Sequence, residues 1–273
     1  MVVRTSGSDR SCRPGDMKLP ICSRARSGDR FLQQATKIRC SDAEIEISVA
    51  LVGWSTDVQH DRDQFCAPDV SWETSGEITM KLYFSPGACS MADHIALHEA
   101  GLSFDHEKVD LKAKRTESGI DYLTINPKGY VPALTIDSGE TLTENVAILD
   151  WIAHQDGALK PSGAMGHTYL LQALAYISTE IHKSFKPFFA GAEEDEKTKA
   201  AETILKRMNY LADTMKGDFM FGSDVSAADC YLFVMLLWAQ KNGVEVPAKL
   251  EALRDRMRER PAVQKAMTHE GMM

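Results

Sequence analysis

MKLYFSPGACSMADHIALHEAG, residues 80–101, is the stretch on which the fold turns. It opens as a short strand, MKLYF, breaks at the turn SPGAC, and continues as a helix, SMADHIALHEAG. Ser90, with Asp93 three residues on, reads as a weak capping box; Ile95 and Leu97 supply apolar positions, and Gly101 closes the helix. Cys89 stands alone between the Pro86-Gly87 turn and the helix start, with no second cysteine two or three residues away. That spacing excludes an internal disulfide of the CxxC kind. A cysteine just before a helix N-terminus gains thiolate character from the dipole and the free amides. The alternative is a small buried hydrophobe. Cys230, in a strongly apolar run, fits burial better; Cys89, on a turn, is harder to bury.

Downstream the pattern repeats. SFDHEKVDL reads as a second strand, TESGIDYLTINPKG as a helical turn and loop, YVPALTI as a third strand and GETLT as a fourth. ENVAILDWIAHQ is a helix with Thr143 as its expected N-cap. Strand-helix-strand, then hairpin and helix, defines a small α/β domain over residues 80–157, its sheet sandwiched by helices. After the linker DGALKPSGAMG everything is helical, giving an all-α domain over residues 164–273. Leu170, Leu174, Ile177, Ile181, Phe185 and Phe188 recur at helical spacing until Pro187 breaks the segment. Ile204, Leu205, Met208, Leu211 and Met215 line the next helix. Ser226 and Asp229 form a capping box ahead of a buried helix, with Val225 placed to staple to Cys230. Leu250, Leu253 and Met257 mark another helix, and Arg260-Pro261 starts a last one.

Upstream, residues 1–79 are rich in Arg, Asp and Ser without a sustained period, and read as a disordered extension or an upstream mis-start before Met80. AEIEISVALV alternates briefly and reads as a strand, but no partner for it is legible nearby. The net charge of -8 argues against nucleic acid or an anionic membrane as partner. The longest apolar run, ISVALVGW, is far too short to span a bilayer, and the N-terminus has no apolar signal core. Of six cysteines, four lie in the leader, so reduced thiols and a cytoplasmic setting are expected rather than a disulfide framework. No CxxC pair or His-Cys spacing suits zinc, and no metal is expected.

Seven segments, in order from Met80 to the C-terminus, resemble the cytosolic glutathione S-transferases, and among them the bacterial beta class. They are MKLYFSPGACS, VDLKAK, NPKGYVPAL, LTENVAIL, TEIHKSFKPFF, SAADCYLF and RPAVQKAMTHEG. The resemblance implies a thioredoxin-like N-terminal domain followed by the helical one, reduced glutathione as co-substrate, a hydrophobic electrophile as second substrate, and a homodimer. Conjugation for detoxification is the implied activity. A glutathione-dependent thiol-disulfide reductase or peroxidase working through Cys89, or a non-catalytic glutathione-binding module, stand as alternatives.

Residue by residue, the resemblance places Val131 before a cis-proline, Pro132, where it pairs with the glutathione backbone. Glu144 and Asn145, at a helix start, take the γ-glutamyl ammonium and carboxylate, and Lys114 the glycine carboxylate. Cys89 faces the glutathione sulfur, as hydrogen-bond donor or mixed-disulfide partner. Thr179, Glu180 and His182 border the thiol, with His182 holding or accepting its proton through a near-neutral pKa. Thr179, His182 and Lys183 share a helical face opposite Leu174, Ile181 and Phe185. Ala175 stands where some members carry a glutathione-contacting asparagine, so that contact is expected to be missing. Tyr83 reads as structural, and His94, His98 and His106 as ordinary surface histidines.

Overall fold

The computed structural model describes residues 36–40, 43–47, 80–155 and 159–273. The chain divides into two compact units, Met1–Trp72 and Glu73–Met273. In the first, strand β1 (Thr36–Cys40) pairs antiparallel with β2 (Ala43–Ile47), Cys40 lying opposite Ala43. The strand expected in AEIEISVALV therefore has a partner, TKIRC, which sequence reading passed over because it is short and highly charged. The expectation of disorder for the rest of residues 1–79 lies outside the described residues.

In the second unit β3 (Lys81–Phe84), α1 (Met91–Glu99) and β4 (Asp105–Asp110) form the expected strand-helix-strand, with β3 and β4 parallel. Strands β6 (Ala133–Thr135) and β7 (Thr141–Thr143) form the hairpin, β6 antiparallel to β3. A two-residue strand β5 (Arg115–Thr116) adds an edge, so the sheet order is β5-β4-β3-β6-β7. Leu82 and Leu134, paired across β3 and β6, bury one sheet face with Ile95 of α1 and Ile148 of α2 (Asn145–Gln155). Tyr83, Val109, Tyr122, Val131 and Ala133 make a separate small core, so Tyr83 is buried, as its structural reading requires.

The helical part comprises α3 (Gly166–Tyr176), α4 (Lys186–Phe189), α5 (Glu194–Thr214), α6 (Ala227–Lys241), α7 (Ala248–Glu259) and α8 (Pro261–His269). The capping box of α6 is complete. Asp229 accepts from the Ser226 N–H at 2.9 Å and the Ser226 hydroxyl at 2.6 Å, and also from the Met220 N–H at 2.8 Å. Val225 and Cys230 are both buried in the main core, and Cys230 is a free thiol. Among the described residues no helix is long and apolar enough to cross a membrane.

Four local expectations need correction. Ser90 caps nothing by its side chain. Its hydroxyl instead accepts from the Ser85 N–H at 3.2 Å, closing the turn, while both Asp93 oxygens are buried without partners. Thr143 ends β7, and the carbonyl of Glu144 accepts the first bond of α2 from the Ile148 N–H, so Glu144 holds the cap position. The first bundle helix leaves α geometry well before Pro187: a π turn (Ile177–Ile181) and a 3-10 turn (His182–Phe185) intervene. Finally, His94 is completely buried beneath α8 rather than lying on the surface, because α1 packs its His94 face inward.

Candidate active site

The turn SPGAC leads from β3 into α1 and leaves Cys89 just ahead of the helix. Gly87 has φ +67°, a left-handed conformation that favours glycine. Its carbonyl accepts from the indole Nε1 of Trp238 at 2.8 Å, and its N–H donates to Glu270 Oε2 at 2.9 Å. The turn is thus held from α6 and from the end of α8.

Around Cys89 the expected partners converge. The Val131–Pro132 bond is cis, as the resemblance implied. The Cys89 thiol donates to the Val131 carbonyl at an Sγ–O distance of 3.7 Å. The Asn145 Nδ2 donates to the Cys89 carbonyl at 3.2 Å, while Asn145 Oδ1 is buried with no partner. Among the described residues, two non-glycines have positive φ, Lys114 (54°) and Glu144 (73°). Both belong to the set inferred from the resemblance. Such a conformation costs a residue with a Cβ roughly 1–2 kcal/mol and is tolerated where surrounding structure imposes it, commonly at ligand sites. Lys114 Nζ donates to the Gly129 carbonyl at 2.6 Å, just before the cis-proline loop. Glu144 Oε1 accepts from Lys128 Nζ and from the Tyr130 hydroxyl, each at 2.5 Å, and these two contacts hold its carboxyl below the ordinary range.

Thiolate character at Cys89 is not what the environment provides. Cys89 is half-buried, and the desolvation of its thiol by the packed surroundings, then the Asp93 carboxyl, push it up to about 12, against the pull of the Cys89 and Ser90 N–H groups. The helix-start argument named the right force; desolvation is the larger one. His182 is corrected in the same way. Burial, then the Lys183 charge, lower it to about 4, so the imidazole is neutral at physiological pH. Its Nδ1 lies 2.6 Å from the Tyr231 hydroxyl, and its ring meets Trp238 edge-on at 5.0 Å between centroids. Through Trp238 it adjoins the Cys89 turn. The Thr179 hydroxyl donates to the Ala175 carbonyl at 3.0 Å, and Glu180 pairs with Arg207 of α5 at 2.7 Å. Both lie on the π turn, whose extra residue departs from the regular helix on which the face argument rested.

Trp238, Tyr231, Lys128 and Tyr130 escaped sequence reading. The signal for Trp238 was an indole N–H in an otherwise apolar helix, a group that needs a partner when buried.

Comparison with known proteins agrees with this geometry. Residues 88–155 match the family model for the glutathione S-transferase N-terminal domain, and residues 179–269 that for the C-terminal domain. Glutathione S-transferase GstA of Escherichia coli is 40% identical over 200 residues, spanning 71% of this chain and all of the relative. The structure of a sphingomonad glutathione S-transferase complexed with glutathione superposes with a TM-score of 0.66 at 46% identity, covering 71% of this chain and 100% of that one. A bacterial beta class enzyme from Sphingomonas chungbukensis gives 0.66 at 44% identity, with the same coverage. A thioredoxin-like domain with a cis-proline beside a helix-start cysteine, followed by a helical domain, defines a glutathione-dependent transferase. The chain belongs to the glutathione S-transferase family.

Proposed function

We propose that the protein binds reduced glutathione at the α1/α2 edge of its sheet and lets the glutathione thiolate attack hydrophobic electrophiles. The observation that carries the reading is the convergence of Cys89, the Val131 carbonyl beside a cis-proline, and Asn145 at the start of α2. Val131 pairs with the peptide backbone of glutathione, and Glu144 and Asn145 receive the γ-glutamyl end where the first N–H groups of α2 are free. Lys114 neutralises the glycine carboxylate.

Cys89, protonated at neutral pH, acts as a donor to the glutathione sulfur; its thiol turns from the Val131 carbonyl to that sulfur when the site fills. A donor aimed at the sulfur stabilises the thiolate and lowers the thiol pKa. Neutral His182, held by Tyr231 and Trp238, is a second polar neighbour of the thiol and cannot act as a charged partner. The electrophile sits against the first bundle helix, where Thr179 and Glu180 border the cleft. Attack forms the carbon–sulfur bond as the leaving group departs with the electron pair, or as an activated double bond takes up a proton.

The thiol-disulfide alternative needs Cys89 as a thiolate nucleophile, which its burial opposes. The protein is proposed to work in the cytoplasm as a homodimer, with residues 80–157 and 164–273 as its two domains and residues 1–79 dispensable. A conjugation assay across several electrophile classes, run alongside glutathione-affinity capture, tests the reading. Glutathione retention with turnover of at least one class is expected; retention without turnover indicates a binding module, and no retention refutes it.

A further inference from the structure

His94 and His98 of α1, His106 of β4 and His269 at the end of α8 are far apart in sequence and meet in space behind the Cys89 turn. We propose that His94, His106 and His269 form a binding site for a divalent transition metal ion, with zinc the best fit, tied to the Cys89 turn through Glu270. One ligating nitrogen from each of the three lies within 4.8 Å of the others. His94 Nε2 and His269 Nδ1 are 3.3 Å apart. Zinc–imidazole bonds of about 2.0–2.1 Å in a tetrahedron place neighbouring ligand nitrogens about 3.3 Å apart. That pair already has the spacing of one tetrahedral edge.

His94 packs against Phe84 and Phe104, with ring centroids 5.4 and 5.6 Å away, and also has the polar partner that a metal-bound imidazole requires. His94 Nδ1 lies 3.1 Å from Glu270 Oε1, and both side chains are fully buried. Burial pushes the Glu270 carboxyl up to about 8; in its ionised form it accepts from His94 Nδ1–H, which turns the Nε2 lone pair toward His269, the arrangement by which carboxylates orient metal-bound histidines. His106 is exposed and stacked on His269 with ring centroids 4.4 Å apart, so a turn of its side chain from stacking to ligation closes the site from solvent. His98 Nε2 is buried without a partner, and its ring packs 5.2 Å from His94 and 5.4 Å from His269, beside the three ligands rather than among them. A set of imidazoles without thiolate suits zinc, copper or nickel over calcium or magnesium.

The site has a route to the catalytic turn. The other Glu270 oxygen, Oε2, accepts from the Gly87 N–H at 2.9 Å, two residues before Cys89. A metal on His94 Nε2 therefore orders a chain that runs from His94 through Glu270 to Gly87.

The test is titration of the full, reduced chain with Co2+ as a spectroscopic stand-in for Zn2+, followed by competition with Zn2+ alone. The His106→Ala/His269→Ala double variant alters the two solvent-reaching ligands and spares buried His94. A second surface group, Asp150, His154 and His167, has comparable ligand spacing and serves as the control through His154→Ala/His167→Ala. The parent is expected to bind Co2+ with the intense visible absorption of a tetrahedral imidazole site. The His106/His269 variant should lose one equivalent of bound metal and that absorption, and the control variant should keep both. Glu270→Gln should weaken binding about 10–100-fold, as loss of the carboxylate that orients a ligating imidazole does. An unchanged stoichiometry and spectrum in the His106/His269 variant, or no binding by the parent, overturns the proposal.

Discussion

The indole Nε1 of Trp238, deep in α6, donates to the carbonyl of Gly87 at 2.8 Å and so fastens the helical part of the chain to the turn that presents Cys89. The same indole packs edge-on against His182 and Phe185. One side chain therefore sets both the turn and the imidazole beside it.

Replacing Trp238 with Phe keeps most of the buried area and removes the donor. Leaving a fully buried carbonyl unpaired costs roughly 1–3 kcal/mol, and the half-buried Gly87 carbonyl falls toward the low end. A lowered urea midpoint is expected, together with a fall in kcat/KM for glutathione larger than that in an equally destabilised variant remote from the turn. If kcat/KM is unchanged, the indole is only structural.

Glu144 offers a separation of stability from function. Its φ of +73° is relieved by glycine, while its exposed pair with Lys128 adds little. Glu144→Gly is expected to hold or raise the melting temperature and yet raise KM for glutathione about tenfold or more, the loss of one charged hydrogen bond. A parallel fall in both would point to a purely structural residue. Thermal melts beside steady-state kinetics decide it.

His182, lowered to about 4 by burial and Lys183, has its charge change below the physiological range. The pH profile of kcat should therefore show no step near pH 6.5. His182→Ala should lower kcat more than glutathione affinity. His182→Asn, which keeps a hydrogen-bonding group for the Tyr231 hydroxyl, should recover part of the loss. A step near 6.5 in the parent that disappears in His182→Ala would restore the role of proton acceptor.

Buried Glu107 controls the acid limb of stability. Burial alone pushes its carboxyl up, but Lys81 at 2.6 Å and the Ser118 and Thr116 hydroxyls outweigh it and bring it down to about 2. A depressed carboxyl contributes stability above its unfolded pKa and loses it as pH falls toward the folded value. Unfolding free energy should drop between about pH 4.5 and 2, and Glu107→Gln should make that slope shallower while lowering neutral-pH stability by about 2 kcal/mol. Urea titrations across the acid range measure both.

The βαβ unit, the hairpin, the α6 capping box and α8 were readable because local chemistry dictates them. Alternation, Pro-Gly turns, Ser226 with Asp229 and Arg260-Pro261 act within a few residues. What was not readable depends on contacts between distant segments. Desolvation of Cys89 and His182 comes from the packed elements around them, so the helix-dipole argument for Cys89 gave the wrong direction and the ordinary near-neutral value expected of His182 does not hold. The π turn at Ile177–Ile181 has no local sequence signal, although the hydrophobic stripe of Leu174, Ile181 and Phe185 is buried as read. His269 is separated from His94 by most of the folded chain, and no spacing rule joins them. The cis Val131–Pro132 bond and the roles of Glu144 and Lys114 came from resemblance; their positive φ values are independent support.

The central claim is that the protonated Cys89 thiol donates a hydrogen bond to the glutathione sulfur and is not itself the nucleophile. The most direct measurement is kcat/KM for conjugation by Cys89→Ala, with mass spectrometry for a glutathione adduct on the parent. Conjugation within about tenfold of the parent is expected, since one weak donor is lost, along with slow alkylation of Cys89 by iodoacetamide at pH 7 that accelerates as pH rises. A loss of several orders of magnitude, with a glutathione adduct accumulating on Cys89 during turnover, would contradict it.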